Sequence, residues 1–401
     1  MPEGIKDKVA IVGMGLTKFK EHWDKSAQDL LVDAVMEALQ DAGIEDERID
    51  TFYLASCFDE IGMGKSALPL SLTLKLPFKP VTRVENFCAS GTEALRNAVY
   101  AVASGAADIA MAVGAEKLKD IGYGGLPEFA GALGTEARQI YPTITAPGAF
   151  AMMATAYFAK YGIDPETGKR LMAMVSKKSH DNGLLNEKAH LRKQVSLEQI
   201  IKSPMVAWPL GLYDCSGVSD GAAAAIVARA DIAKRLRPDP IWVKAMQIAL
   251  SSGEEFMYQD WDGTHIVSTE VAAMRAYEEA GIKDPRKELS VLQLHDCFSI
   301  TELVTYEDIH VSERGKAGQD IEAGFFNLNG GLPAQTDGGL KCFGHPIAAS
   351  GLRMMYEVYK QLQGKAGDRQ VKDPRLGLTH NLGGFPAMNI SSISIVGNEE
   401  G

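Results

Sequence analysis

Cys88 lies in Glu85-Asn-Phe-Cys88-Ala-Ser-Gly91, where a strand hands over to a helix in which Ala94, Leu95, Ala98, Val99, Ala101 and Val102 recur at helical spacing. A thiol at that point meets unsatisfied helix N–H groups and the positive end of the helix dipole, both of which favour thiolate. Alone, such a cysteine packs equally well as a small core residue. Its company gives it another meaning. His295 and Cys297 stand in Leu294-His295-Asp-Cys297-Phe298 after a strand, Val291 to Leu294, and Gly344-His345-Pro346 precedes the small-residue start of a helix. Both imidazoles thus fall at strand-to-helix turns, where α/β folds place chemistry. Thr379-His380-Asn-Leu-Gly383-Gly384 follows the strand Leu376 to Leu378, and its glycine pair lets main-chain N–H groups approach a ligand. Singly, each fragment also reads as structure, a satisfied core histidine or a glycine turn, and Cys215 and Cys342 read as packing. A thiol, imidazoles and main-chain donors together are the ingredients of nucleophilic catalysis.

Two other chemistries fit less well. Gly13-Met-Gly15 follows a strand as a dinucleotide fingerprint does, but Lys18 replaces the third glycine and no helix follows promptly. Cys342 and His345 are closely spaced, but no second pair at zinc-motif spacing completes four ligands, so no metal site is expected.

The elements that must position these residues alternate. Val9-Ala-Ile-Val-Gly reads as a buried strand, and Ala27 to Ala42 as a helix with Leu30, Leu31, Ala34, Val35 and Leu39 on one face, closed by Gly43. Strands at Thr51 to Ala55, Val81 to Val84 and Ile109 to Gly114 follow, with a helix from about Cys88 to Ser104, which is α/β architecture. From about Lys117 to Pro209 the pattern gives way to glycine-rich loops at Gly122, Gly124 and Gly125 and charged helices such as Leu171 to Asn182, as an inserted loop domain would.

An internal repeat sets the architecture. Ala34-Val-Met-Glu-Ala-Leu-Gln-Asp-Ala-Gly-Ile-Glu-Asp, followed by Cys57-Phe58, is echoed by Ala272-Ala-Met-Arg-Ala-Tyr-Glu-Glu-Ala-Gly-Ile-Lys-Asp, followed by Cys297-Phe298. A weaker echo sets Cys88-Ala-Ser-Gly beside Ala348-Ala-Ser-Gly. One fold used twice is the expectation, with equivalent loops of both halves meeting at one site.

Composition bounds the function. The chain of 401 residues is 46% hydrophobic, 23% charged and 7% aromatic, a profile of folded enzymes and not of disordered or collagen-like chains. Its net charge of −11 repels nucleic-acid backbones, so no nucleic-acid partner is expected. No run approaches the ~20 apolar residues of a membrane span, and the start lacks the apolar core of a signal peptide. Five scattered cysteines fit free thiols. A cytoplasmic protein is expected.

In this order, the motifs resemble those of the thiolase superfamily, and within it the sterol-carrier-protein-2-type thiolases, from about Lys8 to Gly397. Asn-Phe-Cys88-Ala-Ser90-Gly resembles the nucleophile motif, and His295-Asp-Cys297-Phe the form this subfamily carries where other thiolases have Asn-Glu-Ala-Phe. Gly344-His345-Pro346-Ile-Ala-Ala-Ser350-Gly matches the histidine loop, and Tyr213-Asp-Cys-Ser-Gly-Val-Ser-Asp220-Gly the return from the loop domain. One departure stands out. Many thiolases place a second cysteine in a C-terminal Cys-x-Gly motif, and here Asn381 holds that position.

The resemblance implies an α/β thiolase fold with duplicated βαβ halves in αβαβα layers: residues 1–116 and 210–240 as the N-terminal half, 117–209 as the loop domain, and 241–401 as the C-terminal half. It implies two-step acyl transfer. His345 takes the proton of Cys88, whose thiolate attacks a 3-oxoacyl-CoA. Cys297 protonates the departing carbanion, and coenzyme A accepts the acyl group. Main-chain N–H groups of Cys88 and Gly383 stabilise the acyl-enzyme oxyanion, and His295, through a water, with His345 the thioester enolate. His380, Gly384 and Ser350 are expected to contact substrate. No bound cofactor or metal is implied; coenzyme A is a substrate. The resemblance further implies a homodimer or tetramer, with Ile109 to Gly114 as a pairing edge, and leaves room for a small zinc-ribbon/OB-fold protein partner.

Three readings of other kinds compete: a non-catalytic acyl-CoA-binding subunit, a retro-aldolase-type partner on the same fold, and a decarboxylating ketoacyl synthase. Retention of Cys88, His295, Cys297 and His345 argues against the first two, and the second thiol at Cys297 against the third.

Overall fold

The computed structural model describes residues 4–58, 62–121, 145–252 and 261–401, so Gly122, Gly124 and Gly125 lie outside it. The chain runs β1 (Val9–Leu16), α1 (Ala27–Ala42), β2 (Thr51–Ala55), β3 (Val81–Val84), α2 (Ser90–Ala103) and β4 (Ile109–Glu116). Helices α3 (Ala146–Tyr161) and α4 (Pro165–Leu184) and a short hairpin, β5 (Met205–Ala207) with β6 (Leu210–Gly211), intervene before β7 (Gly221–Arg229). Then come β8 (Ile241–Leu250), α5 (Val267–Ala280), β9 (Val291–Gln293), α6 (Ser299–Asp308), α7 (Gly339–Phe343), α8 (Ser350–Leu362), β10 (Leu376–Phe385) and β11 (Met388–Gly397).

Local signals set these boundaries. The side chain of Ser26 accepts from Asp29 N while Asp29 reaches back to Ser26 N, a capping box, and Gly43 ends α1 in the left-handed region at φ 67°. The helix after Cys88 starts at Ser90, two residues later than expected, because the chain first makes a tight turn at Phe87. Leu171 to Asn182 lies inside the longer α4, whose start is fixed by Asp164 accepting from Glu166 N and Thr167 N.

The sheet order is β3-β2-β4-β7-β1-β8-β11-β10-β9. Read outward from the β1–β8 junction, one half runs β1, β7, β4, β2 and the other β8, β11, β10, β9, with the same pairing senses. β2 and β4 pair in parallel as do β9 and β10, whereas β1 and β7 pair antiparallel as do β8 and β11. Even β3 has a trace of a counterpart, a parallel bridge from Leu292 to Ala334. The repeat in the sequence is therefore a repeat in space.

Alternating strand residues feed different apolar layers. Ala10, Val12, Met111, Val113, Ala224 and Ile226 pack on α1. Their neighbours Ile11, Ala110, Ala112, Ala225 and Val227 pack on α2 and α8. On the other half, Ala245, Leu292, Leu378, Ile393 and Ile395 pack with α5 and α6. The two central helices, one from each half, are thus enclosed by strands on both sides, giving the expected αβαβα layering.

One expectation changes. Ile109 to Gly114 is not an edge, because β7 returns from over a hundred residues later to pair with β4 on the side that β2 leaves free, and all of Ile109–Glu116 is buried. An apolar run reads the same for any interior strand. The open edge of that half is β3, whose residues are partly exposed.

Candidate active site

The two central helices meet at their N-terminal turns, and glycines around that junction permit it. A Cβ on Gly91 would fall 2.4 Å from the carbonyl oxygen of Ala348, and one on Gly114 2.3 Å from the same atom. Ala348 is the counterpart of Cys88 in the repeat, so the start of α8 sits against the nucleophile helix. Cys88 itself precedes α2 on a turn held by Ser90: Asn86 N donates to Ser90 Oγ at 2.8 Å, and Ser90 Oγ donates to Phe87 O at 2.5 Å. Phe87 takes φ 49° to make the turn. The thiol is 5% exposed. Burial pushes its pKa up to about 12, and the carboxylate of Glu116 adds to the rise. The helix end favours thiolate, but burial outweighs the dipole and the thiol rests protonated, so its use as a nucleophile would need a base.

His345 is the candidate base beside it. Gly344, at φ 116°, turns the chain out of α7. Ser350 Oγ donates its one proton to Pro346 O at 3.0 Å, so it accepts from Nδ1–H of His345 at 2.7 Å. That assigns the proton to Nδ1 and leaves Nε2, buried and without a partner, as a lone pair. Burial, with the Arg353 guanidinium nearby, lowers the imidazole to about 3, so the ring rests neutral.

His295 is set in the opposite sense. Thr92 Oγ1 of α2 donates to Asn381 Oδ1 at 3.0 Å, and Asn381 Nδ2 donates to Nδ1 of His295 at 3.1 Å. The proton therefore sits on Nε2 of His295. Burial and the neighbouring imidazole of His345 hold its pKa well below the usual value. The two rings stand 5.3 Å apart between centroids and nearly perpendicular, at 76°. Ligating atoms of Cys88, His295 and His345 all lie within 4.8 Å of one another. A thiol and two imidazoles so placed form a donor set suited to a soft ion such as zinc, though the same atoms also make a nucleophile, a base and a hydrogen-bond donor.

Cys297 ends the second histidine turn just before α6, 7% exposed, with Sγ 3.7 Å from Thr301 Oγ1. Burial raises its thiol well above the ordinary value, and the proximity of Cys88 adds to this. Gly383 presses on the nucleophile turn: a Cβ there would lie 2.5 Å from Asn86 O and 3.3 Å from Ala89 N. Gly384, at φ 96°, begins the bend towards β11.

Two residues expected to touch substrate are wholly buried. Ser350 holds His345, and His380 points to the other face of β10, with Nε2 3.1 Å from Thr269 Oγ1 on α5. Cys342 is buried, donating to Leu191 O at 3.2 Å. The residue that sequence reading passed over is Asn381, noted there only for the cysteine it replaces. Its signal was its place in Cys-x-Gly register beside a glycine pair.

Residues 9–231 match the family described as "Thiolase, N-terminal domain", and residues 251–398 match "Thiolase C-terminal domain-like". The chain is 38% identical over 378 residues to the acetyl-CoA acetyltransferase of Methanothermobacter thermautotrophicus, covering 94% of this chain and 96% of that protein. It is 31% identical over 388 residues to sterol carrier protein 2 of Gallus gallus, covering 94% of this chain and 70% of that one. Among solved structures, an Ltp2-ChsH2(DUF35) aldolase superposes with a TM-score of 0.83 at 23% identity, over 98% of both chains, which speaks for the fold. The chain belongs to the thiolase family of acyltransferases.

Proposed function

We propose that this protein is a thiolase that cleaves a 3-oxoacyl-CoA with coenzyme A, or runs the reverse condensation, through an acyl group carried on Cys88. The observation that carries this reading is the free Nε2 of His345, its tautomer fixed by Ser350, in one buried cluster with Cys88 and His295. His345 takes the Cys88 proton as the sulfur attacks the 3-oxo carbon. The bond between C2 and C3 breaks, its electron pair stays on C2 as a thioester enolate, and Cys297 gives C2 a proton. Nε2–H of His295 is aimed to stabilise that enolate oxygen. The Cys297 thiolate then takes the thiol proton of coenzyme A, whose sulfur attacks the acyl carbonyl; the bond to Cys88 Sγ breaks, Cys88 regains its proton from His345, and main-chain N–H groups of Cys88 and Gly383 serve as oxyanion donors.

For the acyl group we propose the apolar cavity of about 230 Å³ lined by Met152, Met153, Ala156, Trp261, Phe385 and Met388. Phe385 packs with Phe58 and Phe87, the latter adjacent to Cys88, so the cavity adjoins the nucleophile turn. Gly384 and the segment 117–209, which includes Met152 and Met153, then belong to substrate recognition.

We also propose a cytoplasmic homodimer, or a tetramer built from it, joined through the edge strand β3, beside which Leu68, Leu72 and Phe78 are exposed. Among the described residues no helix is long and apolar enough to cross a membrane. The structurally similar aldolase pairs Ltp2 with ChsH2(DUF35) in its name, and a second component there is in line with a small zinc-ribbon/OB-fold partner subunit here. Acetoacetyl-CoA and coenzyme A, with intact-mass analysis, test the chemistry: loss of the 3-oxo thioester and an acetyl adduct on Cys88 are expected. Retro-aldol release from a branched hydroxyacyl-CoA with no adduct would favour the aldolase reading.

A further inference from the structure

The turn that carries His295 and Cys297 and the helix that leads to His345 are joined by charges sealed inside the protein. Asp296 stands between His295 and Cys297. Its Oδ1 accepts from Leu340 N at 2.6 Å and its Oδ2 meets Lys341 Nζ at 2.8 Å, both on α7, which runs directly into Gly344-His345. Lys341 Nζ also reaches Glu302 Oε2 at 3.2 Å, and Glu302 in turn pairs with Lys178 of α4 and accepts from Tyr306. Asp296, Glu302 and Lys341 have fully buried side chains, and that of Lys178 is 7% exposed, at the wall of a cavity of about 640 Å³. Two cations balance two anions. The fit leaves no slack: a Cβ on Gly339 would lie 2.3 Å from Asp296 Oδ2.

Burying four charges is costly, and packed apolar side chains of similar volume are often as stable or more so, so stability alone does not account for the chain. What ionic and charge-assisted bonds supply is direction and distance. Both oxygens of one carboxylate, flanked by two reacting residues, grip the helix that delivers the third.

We propose that Asp296 and Lys341 are positioning residues for carbon–carbon bond cleavage, their ion pair fixing the separation of Cys297 from the Cys88–His345 pair, and that Lys178 tethers this clamp to the inserted helix α4 through Glu302. The inference rests on the reading of Cys88 as nucleophile and Cys297 as acid.

The test compares two rates in the same protein: acetylation of Cys88 by acetyl-CoA, read by intact mass, and deuterium exchange at C2 of the acetyl group. The doubly substituted Asp296→Asn, Lys341→Met protein keeps the Lys178–Glu302 pair and charge balance. Because a misplacement near 1 Å costs on the order of 100-fold in rate, exchange relative to acetylation should drop by about 10- to 100-fold, with KM for acetyl-CoA little changed. A ratio equal to that of the natural protein would overturn the proposal, whatever the change in melting temperature. Should that variant not fold, Lys178→Gln at the cavity wall leaves Lys341 divided between two carboxylates and should lower the ratio by about 3- to 10-fold. An unchanged ratio there would equally overturn it. Natural protein lacking any acetyl on Cys88 would instead refute the underlying reading and the clamp's assigned task with it.

Discussion

Asn381 donates its amide to Nδ1 of His295 at 3.1 Å while accepting from Thr92 at 3.0 Å, so one side chain on the final hairpin holds both the nucleophile helix and the second histidine turn. The amide's two ends differ, and that difference assigns the proton of His295 to Nε2. Asn381→Asp presents acceptors to both neighbours, moves that proton to Nδ1 and removes the donor proposed for the enolate. We predict a loss of about 10- to 100-fold in kcat for acetoacetyl-CoA cleavage with the fold intact, by analogy with removal of an oxyanion donor. Steady-state kinetics beside circular dichroism check this; undiminished kcat would show that His295 needs no fixed tautomer.

Cys88→Ser should abolish acyl transfer while leaving the fold in place, since the change is nearly isosteric but a hydroxyl is a far poorer nucleophile. His345→Ala should slow iodoacetamide labelling of Cys88 below pH 9, because a buried thiol at about 12 depends on that imidazole for its deprotonation. Labelling at the natural rate would leave His345 without the role of base.

Cys297→Ala should still let acetyl-CoA acylate Cys88 yet lose about 100- to 10,000-fold in deuterium exchange at C2 and in bond cleavage, the span typical of a general acid–base group. Exchange at the natural rate would pass the proton to His295 and make Cys297 a packing residue.

Stability should fall in mild acid. His180, His295, His345 and His380 are buried neutral, with pKa values of about 4 for His180, about 3 for His345 and His380, and well below ordinary for His295. Their depressed values contribute stability that is complete above the unfolded value near 6.5 and is lost as pH falls towards the folded values. Asp308, pushed up to about 7, and Asp337, also raised by burial, act oppositely over part of that range. The histidines outnumber the two raised carboxyls, so unfolding takes up protons on balance and stability falls below about pH 6. Urea midpoints at pH 7.5, 6 and 5 read it; a flat profile would contradict the neutral burial of these rings.

Ala156→Phe, projecting into the apolar cavity, should lower kcat/KM for a long or branched 3-oxoacyl-CoA about 10-fold or more while sparing acetoacetyl-CoA. Equal losses on both substrates would place the acyl group elsewhere.

Much of this was legible in the chain. The repeat around Ala34 and Ala272 foretold the two halves, and strand-to-helix turns located Cys88, His295 and His345. Periodicity could not reveal that β7 closes the side of β4 left open by β2, because pairing across a hundred residues leaves no local mark. Nor could it show that Ser350 and Asn381 choose opposite tautomers for two histidines 5.3 Å apart, since that depends on which oxygen each hydroxyl has already satisfied. Helix-end reasoning showed what favours a thiolate at Cys88 but not the desolvation that opposes it, which depends on how the turn is buried.

The junction of the two central helices at Gly91, Gly114 and Ala348 has a temporal meaning. Cys88 belongs to the first half of the chain and His345 to the second, so during synthesis the first half carries the thiol without that imidazole. On the reading proposed above, the paired thiol and imidazole would exist only once the second half has folded and docked, so acyl transfer would report completed assembly.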